Sequence, residues 1–398
     1  MSGHSSAMDS SLEACPMMSN YGPPPVLFIR GAGTEIWDAN DKRYLDFLTG
    51  LAVVSLGHSH PAITKAIVDQ AATLMHTSNL FATEYQEPVA RILDQLIAGK
   101  PGQVLFQNSG AEANEAAIKL ARKLQGRGRH KVLSAFRSFH GRTLATLAAT
   151  GQPEKHEPFQ PLPDGFIHAA WNDLDEFAKA ITPEVGTIIL EPLQGEGGVN
   201  EASKEFFVGV RQLCDDHRIT LILDEIQTGL GRTGEWFGFQ HFDIEPDIVT
   251  MAKALGNGFP IGAVWARRDA AAAFQPGDHG STFAGQPLAT AAALATLEVM
   301  QDIDAPEMAR ATGLILSAGL AKLPHVQSVR GLGLLVAVEL DCEGAKSVAA
   351  SCLEHGLIVN ALSDTAIRLA PPLNVTKAHT DEALTILGEQ LAQLGQDT

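Results

Sequence analysis

Six short apolar runs, each closed by polar or glycine residues, constrain this chain more than any other feature. They are Val104–Gln107, Lys131–Ala135, Gly186–Leu190, Thr220–Leu223, Asp247–Thr250 and Ile261–Ala266, and helical patterns at Ala111–Arg122, Leu174–Ala180 and Lys204–Asp216 fall between several of them. Short apolar runs bounded in this way suit strands buried on both faces. Their alternation with helices predicts an α/β fold, a mostly parallel sheet covered by helices on each side. Sheets of that kind bind ligands beyond the carboxyl ends of their strands. Ser109, Gly110, Glu191, Asp224 and Lys253 all fall at such ends.

At 398 residues, 45% of them hydrophobic, the chain is too long for one simple core, so two domains are expected. After a long Ala/Leu helix at Gln286–Met300 the pattern changes. A helix near Ala305–Ala321, strands near Val326–Val338, a helix near Ala345–His355, strands around Leu357–Asn360 and Ala366–Leu369, and a helix over Ala378–Leu394 form a smaller α+β unit. The expected division is a disordered tail at 1–18, an N-terminal segment at 19–50 packing with the small domain, a large domain at 51–294 and a small domain at 295–398.

Acidic residues outnumber basic ones by 46 to 29, a net charge of −17. Such a surface repels nucleic acid and anionic membrane, so neither is an expected partner, and an anionic ligand must be held by local donors. Cys15, Cys214, Cys342 and Cys352 show no C-x-x-C spacing, which argues against a metal or disulfide framework and fits a reducing cytoplasm. His58 and His60 in Gly57-His58-Ser59-His60 lack a carboxylate or cysteine at ligand spacing, so no metal is expected there either. The first residues lack a basic segment followed by an apolar one, and nowhere do 18 apolar residues run together.

Four segments carry chemistry. In Asn108-Ser109-Gly110-Ala111-Glu112-Ala113-Asn114-Glu115 a strand gives way through a small turn to a strong helix. Free N–H groups at a helix start hold an anion such as a phosphate, although Ser109 also reads as a plain N-cap. Asp224 ends an apolar strand, where a carboxylate needs a partner: a cationic ring nitrogen of a ligand, or an arginine or lysine. Lys253, between an apolar strand and a Gly-rich loop, has the setting that lowers an amine's pKa and lets it attack a carbonyl. Read alone, it is better explained as a lysine reaching out from a strand end; with Asp224 closing another strand 29 residues earlier and an anion-binding turn upstream, the reactive amine is the better reading. Phe139 and Arg142, in Ser138-Phe139-His140-Gly141-Arg142-Thr143, offer a ring to stack on a planar group and a guanidinium for a carboxylate, while Arg368 sits among apolar residues and needs a partner or a ligand. Gly229-Leu230-Gly231-Arg232-Thr233-Gly234 matches G-x-G-x-x-G, but it does not open a helix directly after a strand, so a nucleotide site is not expected.

Taken in order, NSGAEANE, FHGRT, EPLQGEGGV, LDEIQTGLGRTG, AKALGNGFPIGA, HGSTFAG and RLAPPL resemble the class III, or ω-amino acid, aminotransferases, from about Tyr21 to the C-terminus. YGPPPV, HTSNLF and the FHGRT form of the arginine motif are most similar to the acetylornithine aminotransferases of that family. The resemblance implies the pyridoxal-phosphate (PLP)-dependent transferase fold of type I, with a mostly parallel seven-stranded sheet in a large PLP-binding domain, and a homodimer with shared active sites. It implies transfer of the δ-amino group of N-acetylornithine to 2-oxoglutarate in arginine biosynthesis. A related donor (ornithine, succinylornithine, succinyldiaminopimelate or γ-aminobutyrate) is the alternative, and a mutase or epimerase of the same fold a more distant one. Lys253 would form the Schiff base and shuttle protons, Asp224 would hold the ring nitrogen, Gln227 would lie near the ring's phenolic oxygen, and Phe139 would stack on the ring. Gly110 and Ala111, with Ser109, would hold the phosphate, and Thr282 would reach the partner's phosphate. Arg142 would bind the substrate carboxylate far from the reacting amine, with Ser281 also at the substrate. Glu196 would neutralise Arg368 while the amine donor is bound and release it for the keto acid. Val54 and Gln286 stand where relatives usually carry Asn, departures expected to touch the substrate mouth or the turn geometry.

Overall fold

The computed structural model describes residues 16–394; most of the expected tail lies outside the described residues. The chain opens with a meander of β1 (Phe28–Ala32), β2 (Glu35–Asp38) and β3 (Arg43–Asp46). It then builds a seven-stranded sheet from β4 (Gly102–Gln107), β5 (Lys131–Ala135), β6 (Phe166–Ala169), β7 (Val185–Leu190), β8 (Thr220–Asp224), β9 (Ile248–Met251) and β10 (Gly262–Arg267). Their spatial order is β4-β10-β9-β8-β7-β5-β6, parallel except for β10, which runs against both neighbours. All six strands read from the sequence are present, Lys131–Ala135 with the same bounds and the other five shifted by one or two residues. β6 was not anticipated: it is four residues long, interrupted by His168, and pairs only at the sheet edge, so it lacks a continuous apolar run.

Side-chain alternation explains why both faces need helices. Ile189, Ile222, Ile248 and Val264 pack on the same core as Ala113, Ala117 and Leu120 of helix Gly110–Gln125. Their strand neighbours Ile188, Leu221, Leu223, Val249 and Trp265 turn to the opposite core with Phe206 and Val210 of helix Lys204–His217. Successive residues on a strand face opposite ways, so a run apolar at every position is stable only where helices exclude water from both sides.

Helix Pro287–Asp302 leads to β11 (Val326–Leu332), β12 (Leu335–Leu340), β13 (Leu357–Ile358), β14 (Asn360–Ala361) and β15 (Ala366–Leu369), with β11-β12-β15-β14 as one sheet. β13 instead pairs in parallel with β3, joining the N-terminal meander to the C-terminal residues. The G-x-G-x-x-G segment holds no helix and acts as a joint between these parts. Arg232, fully buried, donates to Leu334 O at 3.0 Å, Pro371 O at 2.6 Å and Ser55 Oγ at 3.0 Å. His58 is likewise engaged, its Nε2 2.7 Å from Asp46 Oδ2.

Candidate active site

A cavity of about 480 Å³ opens at the carboxyl ends of β4, β7, β8 and β9, where the sheet rule places it. Ser109, Gly110, Ala111, Phe139, Arg142, Glu196, Asp224, Gln227 and Lys253 line it together.

One wall is the start of helix Gly110–Gln125. Ser109 caps it, its Oγ accepting from Glu112 N at 3.2 Å. The N–H groups of Gly110 and Ala111 precede the first turn's acceptors and meet no acceptor among the described residues. Both residues line the cavity, and the helix dipole adds partial positive charge at this point. A Cβ at Gly110 would lie 2.7 Å from Ile226 Cδ1, so any larger residue there would have to displace the Ile226 side chain.

Asp224 is 3% exposed at the last position of β8. Among the described residues no arginine or lysine pairs with it; the partners are uncharged or titratable. Its Oδ2 accepts from Asn114 Nδ2 at 2.8 Å and lies 2.8 Å from His140 Nδ1, and Oδ1 accepts from Ile226 N at 3.1 Å. The carboxylate therefore has hydrogen bonds but no fixed cation, which fits a site that receives a cationic ring nitrogen.

Lys253 follows β9 by two residues at φ +42°, a left-handed conformation uncommon for a side chain of this size. Burial lowers its pKa to about 8, with the charges of Glu196, Arg368 and Asp224 next in order of influence. Its Nζ has no hydrogen-bond partner among the described residues. A near-neutral amine facing a cavity is prepared to bond a carbonyl carbon. Unclaimed N–H donors, a carboxylate without a fixed cation, Phe139 as an aromatic wall and this amine together match the phosphate, ring nitrogen, ring face and aldehyde of PLP.

Arg368 lies under the cavity floor, 1% exposed and outside the lining itself. It donates to Glu196 Oε1 at 2.7 Å, Gly195 O at 3.3 Å and Asn360 Oδ1 at 2.9 Å. Burial alone would raise the Glu196 pKa, but the charge and hydrogen bond of Arg368, with the Lys253 charge and a Gln227 hydrogen bond, together hold the carboxyl below its usual range. Arg142, by contrast, has no acid partner among the described residues; its guanidinium carbon stands 5.7 Å from the Phe139 ring centroid.

Ser281 and Thr282 do not line the cavity. Ser281 Oγ accepts from Asn108 Nδ2 at 2.8 Å, Asn108 being a lining residue, while Thr282 is exposed. The turn that holds them is fixed by one of the departures: Gln286 Oε1 accepts from Thr77 N at 2.9 Å and Ser78 N at 3.1 Å. Val54 Cγ1 would be 3.3 Å from a Cβ on Gly258, a cavity residue.

Sequence reasoning missed His140 and Asn114 as holders of Asp224, although both lie inside segments already singled out. Glu191 was noticed but given no role. Its oxygens accept from Phe139 N at 3.0 Å and Gly195 N at 3.2 Å, which ties the aromatic wall to the loop bearing Glu196. Burial raises its pKa to about 7.

Fold and site define an enzyme that handles amino groups through a carbonyl cofactor. The Aminotransferase class-III family model matches residues 17–391, and the chain belongs to that family of PLP-dependent aminotransferases. It is 46% identical over 386 residues to the acetylornithine aminotransferase of Caldanaerobacter subterraneus subsp. tengcongensis, covering 95% of this chain and 98% of the relative. It is also 46% identical to that of Corynebacterium efficiens, with 95% of each chain covered. Among solved structures, the ornithine aminotransferase from Toxoplasma gondii superposes with a TM-score of 0.92 at 32% identity, over 98% of this chain and 96% of that one. The N-acetylornithine aminotransferase from Stenotrophomonas maltophilia gives 0.83 at 32%, over 96% and 99%.

Proposed function

We propose that this aminotransferase holds PLP on Lys253 and Asp224 and moves the δ-amino group of N-acetylornithine to 2-oxoglutarate, yielding N-acetylglutamate semialdehyde and glutamate, as a step in arginine biosynthesis. The observation that carries the reading is Glu196, a lining residue held by the buried Arg368 behind it, in the same cavity as an unpaired Arg142. Bound PLP supplies an aldehyde carbon for nitrogen capture and a ring that stores electrons released at the substrate's reacting carbon. The chain's own groups do the rest. Gly110 N, Ala111 N and Ser109 would hold the phosphate, Phe139 would cover the ring, Gln227 would lie near the phenolic oxygen, and Asp224 would keep the ring nitrogen protonated. Lys253 Nζ would bond the aldehyde carbon and, when displaced, would carry the proton to and from the carbon that bears the amine. Arg142 takes the carboxylate distant from that carbon.

Arg368 and Glu196 address a selectivity problem. The donor's reacting carbon bears no carboxylate, whereas that of glutamate does, and an uncovered Arg368 would favour glutamate alone. Paired with Glu196 it is neutralised for the donor; released, it binds the keto acid. Glu196→Ala is therefore expected to change the ratio of the donor and glutamate half-reaction rates, by about tenfold or more if the loss is that of one charged hydrogen bond. Single-turnover measurements of each half-reaction check this, and equal slowing of both counts against the gate.

Lys253 also predicts a pH dependence. Its neutral fraction rises as pH climbs through about 8, so reconstitution of the cofactor-free enzyme with PLP is expected to accelerate over that range and level off above it. Stopped-flow absorbance at ~420 nm, where a lysine-linked PLP absorbs, follows the reaction. A rate flat between pH 6.5 and 9 contradicts a depressed amine.

An ornithine donor is a second reading, favoured by the likeness to the Toxoplasma gondii ornithine aminotransferase. Pocket contacts separate such donors by only a few kcal/mol, so a panel of amines with 2-oxoglutarate is the deciding measurement. A homodimer is part of the proposal. Leu74, Met75, Leu80, Phe81 and Phe283 are exposed near the turn carrying Ser281 and Thr282, and a second copy would cover them and bring Thr282 to the neighbouring phosphate site. The division at 1–18, 19–50, 51–294 and 295–398 is part of the same proposal; the separate seven-stranded and C-terminal sheets are in keeping with its two larger units. Among the described residues no helix is long and apolar enough to cross a membrane; a cytoplasmic location is part of the same reading.

A further inference from the structure

Arg142 is not the only cation at the Phe139 ring. Lys155, on the short helix Pro153–His156, places its Nζ 5.4 Å from the same ring centroid that Arg142 approaches to 5.7 Å. The only side chain hydrogen-bonded to that Nζ among the described residues is the neutral amide of Gln152. Arg142 has no hydrogen-bonded or ionic partner there at all; of the two acids that act on Lys155, Glu196 is committed to Arg368, and Glu154 forms no ion pair with it among the described residues. Two cations that share one aromatic ring without an acid between them repel each other. Burial, and then the Arg142 charge, hold the Lys155 ammonium below its ordinary range. An arrangement of this kind is relieved by an anion, and the ring they share is a wall of the cavity.

We propose that Lys155 is a specificity-determining residue that joins Arg142 in binding the substrate carboxylate farther from the reacting carbon. The proposal rests on the assignment of Arg142 to that carboxylate. Lys155 does not itself line the cavity. Its four-carbon arm has to exchange the Gln152 amide for the carboxylate, a move a lysine makes more readily than a fixed guanidinium fork. Both half-reactions use a substrate with a distal carboxylate, so one such clamp serves both, while Arg368 distinguishes them at the other end.

The test compares N-acetylornithine with N-acetylputrescine, the same amine without the carboxylate, as donors to the PLP-loaded enzyme. Half-reaction kcat/KM is measured for wild type, Lys155→Met, Lys155→Arg and Arg142→Met. Loss of one charged hydrogen bond predicts that Lys155→Met lowers kcat/KM for N-acetylornithine about 10- to 100-fold. N-acetylputrescine should change less than threefold and the ~420 nm band should be unchanged, with Lys155→Arg recovering most of the loss. If Lys155→Met slows both donors equally, or neither, the proposal is overturned. If Arg142→Met alone removes the preference for the carboxylate, Lys155 is refuted and the Arg142 assignment stands. If wild type shows no preference between the two donors, both assignments fail.

Discussion

Lys253→Ala is expected to lower transamination by at least about four orders of magnitude, the scale on which loss of a covalent nucleophile acts. Two functions are lost at once: the bond to the aldehyde carbon and the base that moves the proton at the substrate's reacting carbon. The purified variant should lack the ~420 nm band, and borohydride should fix no cofactor on residue 253. Folding should not suffer in parallel. The native pKa of about 8 lies below the usual lysine value of 10.5, so the native state binds fewer protons than the unfolded chain between those limits and stability rises with pH there. Below pH 8 the whole cost of burying the ammonium is present. At pH 7 the cofactor-free alanine variant is therefore expected to melt no lower than the cofactor-free wild type. An inactive protein that also melts far lower would point to a structural lysine, and one that retains the band would remove the reading altogether.

What the sequence disclosed depended on how local the physics was. Short runs that are mostly apolar, with no polar alternation, betray a sheet covered on both faces, so β5, β7, β8 and β9 were legible almost to the residue, whereas the edge strand β6 has no such run. The Ser109 cap and the free N–H groups behind it are properties of eight consecutive residues and were likewise readable. The need of Asp224 for a partner was readable too, but not which partner. Asn114 and His140 lie 110 and 84 residues away, and nothing in either segment alone aims them at β8. The Arg368–Glu196 pair spans 172 residues and came from resemblance to a family rather than from the residues themselves. Thr282 shows the opposite limit. Its expected role requires a second chain, and within one chain it is simply exposed.

Asp224→Asn is expected to cost about 10³ in the rate of both half-reactions, comparable to removing one preorganised charge from an enclosed site. The substitution is nearly isosteric. One side-chain oxygen can still accept from Asn114 Nδ2 and His140 Nδ1, so those two contacts survive, while the Ile226 N–H loses its acceptor and the negative charge is gone. Without that charge the ring nitrogen has no reason to stay protonated in a cavity whose other acids are engaged elsewhere. Glu196 is held by Arg368, and Glu191 accepts from Phe139 N and Gly195 N and is drawn toward its neutral form by burial. The variant should accordingly bind PLP, keep its link to Lys253 and melt near the wild-type temperature, yet transfer amino groups slowly. Cofactor analogues separate charge from shape. N-methylated PLP, whose ring nitrogen is cationic without a protein carboxylate, should restore part of the lost rate in Asp224→Asn and give no such gain in the wild type. If Asp224→Asn with ordinary PLP stays within tenfold of wild type, Asp224 is a structural acceptor for Asn114 and His140, and the electron-storing role assigned to the ring must be supported by some other group.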